Sequence, residues 1–144
     1  MPAYIRPRLP LVLAVALLVV ALPAAGVAAT GTLKISTAQN ATLGKRILVT
    51  AKGRTLYTLS AETNGRFICT GSCLSTWPPL TLGRGVTPTG VKHLGTIKRP
   101  DGRRQVTYKG RPLYRFASDR TKGDVGGEGF VDVGTWHAAV APKR

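Results

Sequence analysis

At 144 residues, with 21 Lys and Arg against six Asp and Glu, the chain is strongly basic and has room for one core, not comfortably for two. A formal charge of +15 in a cytosolic protein would suggest nucleic acid, but the N-terminus sends this chain elsewhere and no nucleic acid is expected. Two cysteines with no second pair, and two histidines remote from them, do not complete a zinc set.

Arg6 and Arg8 form a short basic head, and Leu11 to Leu22 then runs without a polar side chain. Pro23 breaks the run and small residues follow as far as Ala29. A charged head, an apolar stretch of about a dozen residues and a small-residue end describe a secretory signal, whereas a membrane span needs roughly 20 apolar residues. The expected signal helix therefore occupies residues 1–29, with cleavage before Thr30, and an uncleaved membrane tether is the alternative. No Cys stands near this site, so an N-terminal lipid anchor is not expected. Without Arg6 and Arg8 the remaining 115 residues keep 19 cations and all six acids, a formal charge of +13. Outside the cell that charge suits phospholipid head groups or wall polymers, with a merely soluble basic surface as the plain alternative.

Residues 30–43 read as a lead-in and 44–141 as one mostly β domain. Arg46 to Ala51 is rich in β-branched residues, Lys52-Gly53 offers a tight turn, and Thr55 to Leu59 returns. Tyr57 and Leu59 fall on one strand face, and Glu62 closes the segment. Cys69 and Cys73 flank Thr-Gly-Ser, where Gly71 can turn the chain, and an oxidising compartment favours a bridge between them. Trp77-Pro78-Pro79 ends this first unit, residues 46–80, and the Gly- and Pro-punctuated residues 81–95 read as a connector.

The second unit, residues 96–141, opens with a hairpin turned at Pro100-Asp101-Gly102. It then repeats the first: Val49 to Glu62 matches Val106 to Asp119 without a gap, sharing Val-Thr, Lys-Gly-Arg and Leu-Tyr. Thr76-Trp77 likewise finds Thr135-Trp136 after a two-residue shift. Similarity of this length argues for duplication, and two copies should pack as one pseudo-symmetric module of β-hairpin repeats with long loops. Ser118 to Gly129 reads as a loop and Phe130 to Val140 as a last strand, with Trp136 and His137 on opposite faces.

Tyr114-x-Phe116-x-x-Asp119, preceded by Lys109-Gly110-Arg111-Pro112-Leu113 and followed by Trp136-His137, resembles the bacterial "secreted repeat of unknown function" family, exported proteins and predicted lipoproteins with a Tyr-x-aromatic-x-x-Asp motif. The resemblance spans about Gly44 to Ala141 and implies export, a duplicated β module and no assigned activity. The first copy departs from the motif at Leu59 and Glu62.

Tyr114 and Phe116 are expected in the core, with Asp119 capping the following turn. Asp119, Asp124, Glu128 and Asp132 lie within fourteen residues among four glycines. They are candidate ligands for a hard cation such as calcium, although the spacing is not that of an EF-hand, with His137 a separate candidate for a soft metal or haem, and a solvated loop pairing with Arg115, Arg120 and Lys122 is the alternative. No cofactor is otherwise expected. No Ser/His/Asp set is legible, nor a rigid carboxylate pair. The preferred reading is a non-catalytic exported binding module for anionic envelope components. A small redox or metal-handling protein using Cys69, Cys73 and the histidines is the alternative, and the sequence assigns no oligomeric state.

Overall fold

A computed structural model describes residues 1–3 and 30–142, so the signal expected over 1–29 falls almost wholly outside the described residues. Among those described, no helix is long and apolar enough to cross a membrane. The chain is mostly β, in several small sheets. Among the described residues the single α-helical turn, α1 (Cys73–Thr76), sits beside the disulfide.

Strand β1 (Gly31–Asn40) pairs antiparallel with β2 (Lys45–Thr50) and parallel with β5 (Val86–Thr89). The expected lead-in, residues 30–43, thus holds the longest strand among the described residues. Its exposed Thr32 and Lys34 alternate with Leu33 and Ile35, which reach one core, in the period-two pattern of a half-buried strand. The connector also corrects. It holds β4 (Thr81–Leu82) and β5, because Gly and Pro punctuate it without stopping Val86–Thr89 from pairing with β1.

Strand β6 (Leu94–Lys98) and β7 (Arg104–Tyr108) form the hairpin expected around Pro100-Asp101-Gly102, and β7 also carries β4 and β8 (Arg111–Pro112). The final strand is much shorter than expected. Only β9 (Trp136–Ala138) is regular, pairing with β3 (Tyr57–Leu59), while residues 129–136 form a tight turn of their own.

Two apolar clusters share these strands. Leu48, Leu56, Leu113 and Ala139 enter one, and their sequence neighbours Ile47, Val49, Tyr57, Tyr114 and Ala138 enter the other. Consecutive residues can both be buried only where a strand has a core on each side, which explains the near-continuous apolar runs. Between the clusters Tyr57 and Tyr114 pair with each other, each amide donating to the other's carbonyl at 2.9 Å.

The two Lys-Gly hairpins are not identical. Lys109 and Gly110 both take positive φ, 50° and 77°, as a two-residue turn between Tyr108 and Arg111 requires. In the first copy only Gly53 is left-handed, and the loop from Thr50 to Arg54 holds three residues. The extra residue shifts the register, so Val49 packs in one cluster while its counterpart Val106 packs in the other.

Candidate functional site

The motif residues meet crosswise. Tyr57 donates its hydroxyl hydrogen to Asp119 Oδ2 at 2.6 Å, and Tyr114 donates to Glu62 at 2.9 Å, so each tyrosine uses the acid of the other half. Each acid also gathers amides that follow it: Glu62 accepts from Ile68 and Cys69, both at 2.8 Å, and Asp119 from Gly126 at 3.0 Å. Asp119 therefore closes a loop seven residues on instead of capping the next turn. Both phenols are fully buried, and both are pushed well above the ordinary tyrosine range, chiefly by burial. The neighbouring carboxylate adds to this in each case. Tyr57, Leu59, Tyr114, Trp77 and Trp136 are all fully buried, and Phe116 is half-buried against them.

A buried cation supports one of these pairs. Arg99 Nη1 donates to Gln105 at 2.5 Å and to the Tyr114 hydroxyl at 3.1 Å, while Nη2 donates to the Cys69 carbonyl at 2.9 Å. Its guanidinium also lies over the Phe67 ring, 4.6 Å from the centroid. The hydroxyl of Tyr114 thus stands between Arg99 and Glu62. Sequence reasoning missed Arg99 and Gln105, because an Arg before Pro-Asp-Gly reads as the charged flank of a surface turn. That turn does carry an exposed pair, Arg103 with Asp101 at 2.7 Å, and Arg103 holds the Asp101 carboxyl down at about 2.

Trp77 and Trp136 stack with centroids 3.9 Å apart and planes 10° from parallel. Asp132 fixes both, accepting from Trp77 Nε1 at 3.1 Å and Trp136 Nε1 at 2.8 Å. Phe116 lies against Trp77 at 4.6 Å, and Phe130 meets both rings at 5.6 to 5.7 Å.

The four acids of the Gly-rich segment are dispersed by these duties. Asp119 serves Tyr57 and Asp132 the indoles. Asp124 accepts from the Arg120 and Thr121 amides and from the Thr121 hydroxyl, and the Thr121 donors above all hold its carboxyl below the usual range. Glu128 meets exposed His137 Nδ1 at 3.0 Å and the Ala138 amide at 2.7 Å. Among the described residues no three His, Cys, Asp or Glu side chains are grouped to hold a metal ion. Nor do these acids pair with Arg115, Arg120 or Lys122. Backbone amides and hydroxyls are nearer in so tight a loop, so those cations stay unpaired among the described residues.

Cys69 and Cys73 are joined by a disulfide, with Gly71 at φ 56° between them. Cys69 is buried and its amide and carbonyl are those held by Glu62 and Arg99, so the bridge braces the Tyr114 network.

Beside the aromatic core opens a cleft of about 430 Å³ lined by Lys52, Arg54, Arg115, Phe116, Pro78 and Asp119. Its one carboxylate is already engaged by Tyr57 and Gly126. Arg54 donates Nη1 to the Asp119 carbonyl, which orients the guanidinium along the wall. A neighbouring groove of about 290 Å³ shares Lys52 and adds Lys122. Four cations thus line two hollows that share Lys52, against the one acid Asp119, an arrangement suited to a ligand with several negative charges.

Residues 95–140 match the family model described as a secreted repeat of unknown function, the family that the Tyr-x-Phe-x-x-Asp motif resembles. No curated protein and no solved structure matches the chain.

Proposed function

We propose that this chain, which carries that secreted repeat over residues 95–140, is an exported, non-catalytic module that binds an anionic component of the cell envelope through the cleft of Lys52, Arg54 and Arg115. One observation carries the reading: the cations lining the cleft outnumber its acid, and that acid's carboxylate is bonded inward to Tyr57. A phosphate or carboxylate entering there would meet three cations against the single carboxylate of Asp119. The polar residues that look chemical in the sequence are used to build the core, which favours binding over catalysis. Glu62, Asp119 and Asp132 each hold hydrogen-bond donors needed by the fold.

The redox or metal reading draws less support. Cys69 and Cys73 are bonded to each other, and there is no free cysteine among the described residues.

The test is binding of the exported protein to isolated cell wall and to anionic and neutral liposomes across an ionic-strength series. Screened attraction should weaken steeply as the Debye length falls from about 10 Å at 0.1 M to about 3 Å at 1 M salt. Reversing charge in Lys52→Glu/Arg115→Glu should abolish binding. Binding that ignores both salt and this variant would overturn the proposal.

A further inference from the structure

The turn that follows the Gly-rich loop has an unexpected tip. The Gly129 amide donates to the Trp136 carbonyl and the Trp136 amide to that of Phe130, while the Asp132 amide donates to the Gly134 carbonyl, so residues 129–136 close on themselves. At the apex, positions that usually carry Asn, Gly or Ser are Val131 and Val133, 71% and 47% exposed. Phe130 beside them is 39% exposed. Asp132 between the valines points its carboxylate back to the two indoles, which fixes Val131 and Val133 outward. The apex is therefore a braced apolar point and not a loose loop.

Its position relates it to the cleft. Phe130 packs on Phe116 at 5.6 Å, and Phe116 lines the cleft with Lys52, Arg54 and Arg115. Apolar side chains held in water next to a hollow whose three cations outnumber its one acid combine the two elements of interfacial lipid binding. The former partition into the acyl boundary, and the latter takes the head-group phosphate. A soluble wall polymer would use the cations but gives the valines nothing to enter.

We infer that the Phe130–Val131–Val133 apex inserts into the surface of a bilayer containing anionic lipid while the adjacent cleft binds its head groups. The inference rests on the proposed role of the cleft and adds the bilayer as its occupant.

The experiment measures binding of the exported protein to phosphatidylglycerol-containing vesicles and, separately, to soluble polyphosphate. Val131→Ser/Val133→Ser changes only exposed side chains, and unaltered thermal unfolding would verify its fold. This variant should lose about tenfold or more in vesicle affinity while its polyphosphate affinity is unchanged. Lys52→Glu/Arg115→Glu should lose both. Equal vesicle binding by wild type and the valine variant, or no vesicle binding by wild type, overturns insertion. Failure of wild type to bind polyphosphate overturns the cleft reading instead, and the two failures are read from separate arms.

Discussion

The Tyr57 hydroxyl lies 2.6 Å from Asp119 Oδ2, joining residues 62 positions apart across the two halves of the domain. Replacing Tyr57 by Phe keeps the ring in its cluster but removes a donor from a buried carboxylate. A hydrogen bond to a charged group contributes about 1.5–3 kcal/mol, so Tyr57→Phe should cost about 2 kcal/mol in urea unfolding. With Asp119→Asn it should form a double-mutant cycle whose coupling exceeds about 0.5 kcal/mol. Strict additivity would show that the contact contributes nothing to stability.

The opposite pair depends on Arg99, so Arg99→Met should be the most damaging single change in the domain. It removes the only cation bonded to the Tyr114 hydroxyl among the described residues and strips donors from Gln105 and the Cys69 carbonyl. Breaking a buried charge arrangement costs about 3–5 kcal/mol. Arg99→Lys should rescue little of this, because one ammonium cannot reproduce the planar fork that reaches three acceptors. An Arg99→Lys variant as stable as wild type would refute that account.

Alternating apolar residues and the Lys-Gly turns made the hairpins legible, and the ungapped match drew attention to Tyr57 and Tyr114. What could not be read was which acid each tyrosine meets. The pattern within one copy places Asp119 five residues from its own Tyr114, while the fold hands it to Tyr57. β1 was missed because its alternating apolar positions end at Ile35, after which Ser36, Thr37, Gln39 and Asn40 read as polar loop although the strand goes on to pair with β2. Arg99 was invisible for a chemical reason: hydropathy ranks it with the other surface cations, while Gln105, Tyr114, the Cys69 carbonyl, the Phe67 ring and Asp101, 3.6 Å from its Nε, make its burial tolerable. The metal candidates failed to gather because each acid found a nearer donor in the backbone or an indole.

Both buried phenols have folded-state values raised above the ordinary value of 10.0, so the native state holds its phenolic protons more tightly than the unfolded chain. Their contribution to stability is then full below pH 10 and is lost as pH rises beyond it. The melting temperature should stay level with respect to these groups up to about pH 9.5 and fall steeply above it, in line with that linkage. Ultraviolet absorbance of the phenolate should show Tyr57 and Tyr114 ionising only as the protein unfolds, and early titration of both would contradict their burial.

Thiol labelling of the native, non-reduced protein should find no reactive thiol, because Cys69 and Cys73 are bonded. The loop they close is short, so the chain-entropy contribution is about 2 kcal/mol. Reduction should nevertheless broaden the near-ultraviolet signal of Tyr114 and Trp136, since the Cys69 backbone is held by both Glu62 and Arg99. Two thiols that react freely in the native protein would revive the redox reading.

Gly127 is the tightest point of the aromatic core. A methyl group placed there would lie 2.7 Å from Trp77 Cη2 and 2.9 Å from Tyr57 Cε1. Neither ring can withdraw. Trp77 is stacked on Trp136 and tied to Asp132, while Tyr57 is tied to Asp119 and receives the Gly127 amide on its hydroxyl at 3.3 Å. Overpacking of this kind costs about 1–3 kcal/mol, so Gly127→Ala should lower the urea midpoint and alter the near-ultraviolet bands of the stacked indoles together. Gly31→Ala provides the contrast. Its new methyl would meet only Val86 Cγ2, at an ordinary 3.6 Å, on a strand where a side chain is welcome. It should leave stability within about 0.5 kcal/mol of wild type and the indole bands unchanged. If Gly127→Ala were as neutral as Gly31→Ala, the stack would have to be able to slide, and the rigid clamp assigned to Asp132 and Asp119 would be wrong.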